Sequence, residues 1–193
     1  MSRNENLNVR RLTESAILVA IAFVLNFVSS IIPNMPQGGS VTLASLVPLL
    51  IISYRHGWKW GTFSAFVFAL LKVMLSNNFA WIPVQNFQSF AAVALLDYIV
   101  AFSVLGLADL FRKPFGGKKY IGYSVSCVIV MFLRFICHFL SGVLIWYPFA
   151  EAAGFDNRWL FSMIYNGGYM LPETIITTVV LVLLARTMKF EKA

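Results

Sequence analysis

Six apolar runs, each closed by basic or turn-forming residues, dictate what this chain can fold into: Leu12 to Ile32, Val41 to Tyr54, Trp58 to Leu75, Val84 to Phe111, Tyr120 to Trp146 and Trp159 to Met188. A helix that crosses the hydrocarbon layer needs about 20 such residues, and in lipid it satisfies its backbone polar groups within its own segment. The second run is short for a full crossing. Of the 193 residues 59% are hydrophobic and 12% charged, and the mean hydropathy is +0.77. A soluble domain of this length leaves roughly 30% of its unfolded surface in water, and this composition cannot furnish that surface. The expected fold is an all-α integral membrane protein, a bundle of six transmembrane helices forming one domain over residues 1–193.

A formal charge of +7 raises the question of nucleic acid, but the positions of the charges answer differently. With six spans both termini share a side. On that side fall Arg3, Arg10, Arg11, Arg55, Lys59, Arg112, Lys113, Lys118, Lys119, Arg186, Lys189 and Lys192, whereas Arg158 alone falls opposite. This asymmetry places both termini in the cytoplasm and makes the lipid bilayer, through its anionic headgroups, the expected contact; no nucleic acid partner is expected. The first run is too long for a secretory signal and no small-x-small cleavage site follows it. The outer linkers Pro33 to Ser40, Ser76 to Pro83 and Tyr147 to Arg158 serve either as connections or as a lid. Cys127 and Cys137 lie about 15 Å apart along one predicted helix, too far to bridge.

Charged and imidazole groups at membrane depth cost about 2.5 to 3.5 kcal/mol each on insertion scales, so Lys72, Asp97, Arg134, His138 and Glu173 each require a reason. Asp97 falls near mid-depth of the fourth span. On the fifth, Arg134 and His138 are four residues apart and share a face, with Trp146 further out. On the sixth, Asn166, Tyr169 and Glu173 follow the three-then-four spacing of one helical face. Arg134 and Glu173 fit either a buried ion pair that fixes packing or part of a polar site. Asp97, His138, Trp146, Tyr165, Asn166 and Tyr169 combine a carboxylate, hydrogen-bonding groups and aromatic faces. That mixture suits a small, flat, cationic ligand, since a desolvated cation over an aromatic face gains roughly 0.5 to 2 kcal/mol.

Catalytic and cofactor chemistry finds little support. Gly117 and Lys118 are followed by Lys119 rather than Ser or Thr, so no phosphate-cradling loop is present. His56 lies in an inner loop away from the other His, which leaves no metal-ligand cluster. Ser141 and His138 are helical neighbours without a readable oxyanion loop. No catalytic residue, metal or cofactor is expected. With no nucleotide motif, accumulation of a solute requires ion coupling or a separate motor.

Four stretches carry a family resemblance: LTESAILVAIAFVL in the first helix, LLDYIVAFSVLGLA in the fourth, RFICHFLSGVLIWY in the fifth and SMIYNGGYMLPETI in the sixth. Together they resemble the thiamine-specific substrate-binding S component of energy-coupling factor vitamin transporters. The resemblance implies a six-helix subunit that captures thiamine outside and docks on a transmembrane T subunit with two ATPase subunits, whose ATP hydrolysis drives release inside. It implies that Trp146 stacks on a thiamine ring, that Asp97 and His138 partner the aminopyrimidine and thiazolium rings, and that Asn166 reads the pyrimidine edge. Tyr98, Tyr165, Tyr169 and Glu173 complete the expected substrate-binding set. Ala16 and Ala20 form a small-xxx-small pair that serves either T-subunit docking or internal packing. Members of the family carry Glu where this chain has Asp97, and a Trp in the first outer loop that this chain lacks; Trp81 or Met35 stands in for it. An S component for another vitamin such as riboflavin, a membrane enzyme and a scaffold are the alternatives.

Overall fold

The computed structural model describes residues 3–29, 31, 35, 39–75, 87–116, 118–188 and 190. They form α1 (Arg3–Ser29), α2 (Val47–His56), α3 (Trp58–Leu75), α4 (Phe87–Phe115), α5 (Lys119–Leu144), the short α6 (Tyr147–Ala152) and α7 (Arg158–Thr187). Among the described residues five helices, α1, α3, α4, α5 and α7, are long and apolar enough to cross a membrane. Their outward faces are apolar, as Phe27, Phe63, Phe132, Leu171 and Ile175 illustrate, which suits lipid contact and not water.

The second apolar run differs from a plain span. The helix it forms, Val47–His56, has only ten residues, a length of about 15 Å, half the thickness of the hydrocarbon layer. Every side chain from Val47 to Tyr54 is buried. A helix apolar all round belongs inside a bundle, and α2 packs against α1, α3, α4 and α7 to form its core. Pro48 starts it and Gly57, at φ 84°, ends it, the usual asymmetry of helix ends. Ahead of it residues 39–46 are irregular. Their backbone finds partners outside a helix: Gly39 N–H donates to the Tyr165 hydroxyl at 3.0 Å and Leu43 N–H to Ser29 Oγ at 2.7 Å.

α4 is not a uniform helix. It is π-helical over Ala94–Val100 and tightens to 3₁₀ over Val104–Leu107. Ser53 of α2 inserts at the tight turn, donating to the Gly106 carbonyl at 2.6 Å and accepting from Asp109 N–H at 3.0 Å. α3 crosses here at backbone contact: a Cβ on Gly106 would lie 2.1 Å from Thr62 N and 2.3 Å from the Gly61 carbonyl carbon. Because backbone atoms cannot swing aside as a flexible side chain can, Gly106→Ala is expected to cost about 1 to 3 kcal/mol. The thermal midpoint in detergent should fall; an unchanged midpoint would refute the close crossing.

α5 and α7 form the most extensive helix pair. α7 begins at Asn157, whose Oδ1 accepts from Trp159 N–H and Leu160 N–H at 2.9 and 3.2 Å, and it holds Pro172 in its interior. Proline removes the N–H that would reach the Gly168 carbonyl. Cys127 and Cys137 are free and buried. Ala16 and Ala20 are exposed on α1, in one stripe with Ile17, Ile21 and Val24, so no described residue of this chain packs over them.

Candidate functional site

At the end of the bundle where α1 and α3 finish and α2 begins, the helices part around a cavity of about 400 Å³, within the size range of small-molecule sites. Asp97, Tyr98, His138, Trp146, Tyr165, Asn166, Tyr169 and Glu173 all line it. The π-helical stretch of α4 sends both Asp97 and Tyr98 to this cavity; such insertions recur at functional positions.

Asp97 is the hub of the upper wall. Its Oδ1 is 3.0 Å from His138 Nδ1, and its Oδ2 accepts from Ser141 Oγ at 2.7 Å and from Trp146 Nε1 at 3.0 Å. Three groups from α5 and its C-terminal end thereby fix one carboxylate, which keeps its orientation without a ligand. The bond to Trp146 also fixes the indole, leaving the ring as a wall of the cavity. His138 Nε2 is buried with no hydrogen-bond partner among the described residues, and a buried polar atom in that condition costs about 1 to 3 kcal/mol. His138 lines the cavity, so a group bound there would supply what that nitrogen lacks.

α7 contributes a second network. Asn166 Nδ2 donates to the Ser162 carbonyl at 3.0 Å, to Ser162 Oγ at 3.1 Å and to the His138 carbonyl at 3.3 Å, while its Oδ1 accepts from the Tyr169 hydroxyl at 2.9 Å. Its amide hydrogens are thus engaged within the protein, so reading a ligand edge requires exchange of one of these bonds. Gly142 permits this contact: a Cβ there would lie 2.2 Å from Ser162 Oγ and 3.1 Å from Asn166 Nδ2. Gly39 plays the same part for the irregular segment, whose backbone lies against the rings of Tyr165 and Tyr169.

The floor carries the remaining charges. Arg134 Nη1 donates to Glu173 Oε2 at 2.5 Å, and Thr42 Oγ1 donates to Glu173 Oε1. Glu173 is completely buried and Arg134 nearly so. Lys72 Nζ donates to Asn26 Oδ1 at 2.8 Å. Glu173 therefore lines the cavity with both oxygens already occupied. Among the described residues, Asp97 is the one carboxylate of the lining that faces no Lys or Arg at salt-bridge distance.

The residues that reasoning from sequence did not place are Asn26, Ser29, Thr42, Ser45, Ser141 and Ser162, small polar groups that support the others. The helical spacing from His138 to Ser141 was a usable signal, since it puts both on one face toward Asp97. Lys72 and Arg134 were conspicuous as intramembrane charges, and both reach the cavity. Met35 is near α7, its Cε 3.7 Å from where a Cβ on Gly168 would sit; Trp81 lies outside the described residues.

Comparison with known proteins gives this cavity a context. The family model described as thiamine transporter protein matches residues 12–191. The thiamine transporter ThiT of Bacillus subtilis (strain 168) is 36% identical over 202 residues, covering 98% of this chain and 100% of the relative. The thiamine transporter ThiT of Lacticaseibacillus paracasei (strain ATCC 334) is 28% identical over 176 residues, covering 86% and 82%. A solved structure of ThiT from Listeria monocytogenes superposes with a TM-score of 0.74 at 22% identity, covering 95% of this chain and 98% of that one, a likeness of fold. A bundle of apolar helices around a polar cavity, matched over nearly its whole length, makes this chain a bacterial multi-pass membrane protein that belongs to the thiamine transporter family.

Proposed function

We propose that this chain is the thiamine-binding S component of an energy-coupling factor importer, capturing the vitamin outside and releasing it inside when a T subunit and two ATPase subunits are engaged. The observation that carries the reading is the preorganised carboxylate of Asp97, held by His138, Ser141 and Trp146 in a cavity with aromatic walls. Thiamine is a flat cation with a hydrogen-bonding aminopyrimidine, the chemistry to which such a wall is complementary. Asp97 supplies the counter-charge, Trp146 a stacking face, His138 Nε2 a hydrogen-bonding group, and Tyr98, Tyr165, Tyr169 and Asn166 the remaining walls. Glu173 holds Arg134 and Thr42 together in the floor beneath these groups.

In this reading the irregular residues 39–46 and α2 together make the sixth crossing. Irregular backbone at membrane depth is tolerated where it lines a cavity, and residues Gly39, Ser40, Thr42, Ser45 and Leu46 do so. Both termini are then cytoplasmic, by the distribution of basic residues. The exposed Ala16 and Ala20 stripe supports α1 as the surface for the T subunit, because small residues let helices approach closely.

Titration of the purified protein with thiamine, followed by tryptophan fluorescence, tests the ligand. Nanomolar affinity corresponds to about 12 kcal/mol, so quenching should be stoichiometric at micromolar protein. Trp146→Ala removes a stacking face and one bond to Asp97, and affinity should fall at least about tenfold, or 1.4 kcal/mol. A response to riboflavin or biotin in place of thiamine would reassign the ligand. Copurification with ATPase and T subunits from a membrane extract tests the motor.

A further inference from the structure

At the opposite end of the bundle a second recess, of about 480 Å³, opens between α1, the α2–α3 junction and the end of α4. Its walls hold four cations, Arg11, Lys59, Arg112 and Lys113, and one carboxylate, Asp109, together with Tyr54, His56 and Trp58. Asp109 is already engaged, with Arg112 Nη2 at 3.0 Å and Lys113 Nζ at 3.8 Å. Glu14, the other acid nearby, is 2.6 Å from Arg55 and 3.2 Å from His56. The lining therefore keeps an excess of three positive charges. Arg11 Nε is buried with no hydrogen-bond partner among the described residues, and its guanidinium is fixed over the Trp60 ring, 3.9 Å from the centroid. Lys59 lies 5.6 Å from the Trp58 centroid.

Basic residues at the end of a membrane bundle are ordinary when they point separately into solvent. Here they converge on one concavity with aromatic walls, which is a charge-complementary receptacle for an anion. We propose that this recess binds a phosphate group, and that its occupant is the headgroup of an anionic phospholipid. The depth suits a headgroup, since the recess lies at the helix ends, where phosphates stand in a bilayer and where each nearby Lys or Arg contributes about 1 kcal/mol. The proposal does not depend on the ligand of the other cavity.

Native mass spectrometry of the full chain in neutral detergent tests it, with dioleoyl phosphatidylglycerol and dioleoyl phosphatidylcholine as probes. One phosphatidylglycerol should be retained in preference to phosphatidylcholine. The double substitution Lys59→Gln with Lys113→Gln should lower retention about fivefold or more, whereas Lys118→Gln with Lys119→Gln, removing two cations outside the recess, should leave it unchanged. Binding of inorganic phosphate at millimolar concentration without a lipid adduct would keep the anion site and assign it a soluble phosphate. Equal losses in the two double variants, equal retention of both lipids, or binding of neither lipid nor phosphate would overturn the proposal. Thiamine titration of each variant reports whether the far end of the bundle is intact, and Lys59→Gln alone replaces a double variant that is not.

Discussion

Asp97→Asn should weaken thiamine binding roughly 10- to 100-fold, the equivalent of a lost charge-assisted interaction of about 1.5 to 3 kcal/mol. Two effects add. The substitution removes the counter-charge for a cationic ring, and it places an amide NH₂ where an oxygen now accepts. Ser141 Oγ and Trp146 Nε1 both donate to Oδ2, so whichever way the amide turns, His138 or this pair loses its acceptor or meets a second donor. Asp97→Glu keeps the charge and the acceptors on a stem one methylene longer, and should retain more affinity than Asn. Titration by tryptophan fluorescence, alongside thermal melting to verify folding, measures both. Unchanged affinity in Asp97→Asn would show that the ligand does not use this wall.

The helices were legible because apolar runs flanked by basic residues leave little choice of solvent, and the long spans α3, α5 and α7 fall within a few residues of their expected bounds. The second run was less so. Apolar composition alone cannot separate a short helix buried by its neighbours from a crossing exposed to lipid; Ala44 at φ 58° and the bond from Leu43 N–H to Ser29 Oγ lie where the helix is absent although hydropathy continues. The site was legible through the cost of its charges: Asp97, His138 and Glu173 stood out because lipid should have excluded them. Ser162 and Thr42 did not stand out, since a hydroxyl in a span is cheap and can satisfy its own helix, and Ser141 drew notice only as a nucleophile beside His138. The π-helical stretch that brings Asp97 and Tyr98 together leaves no pattern in residue type; it lies where α4 packs against α3 and α5.

The largest loss of stability is expected from breaking the floor. Glu173→Leu leaves the Arg134 guanidinium buried without its anion and Thr42 without its acceptor, and removal of one member of a buried pair costs about 3 to 5 kcal/mol. Unfolding in mixed micelles with increasing dodecyl sulfate should shift accordingly. Arg134→Met combined with Glu173→Leu removes both charges and fills similar volume, which in buried pairs is often neutral, so most of the lost stability should return. Full stability in the single variant would mean that the pair contributes nothing to the fold. Thiamine affinity of the double variant then separates packing from binding. Glu173 is completely buried and each of its oxygens already accepts, from Arg134 and from Thr42, so affinity should remain within about threefold of the parent, less than 1 kcal/mol. A tenfold loss in a variant that has recovered its stability would instead make Glu173 a ligand contact, and the ion pair a device for presenting it.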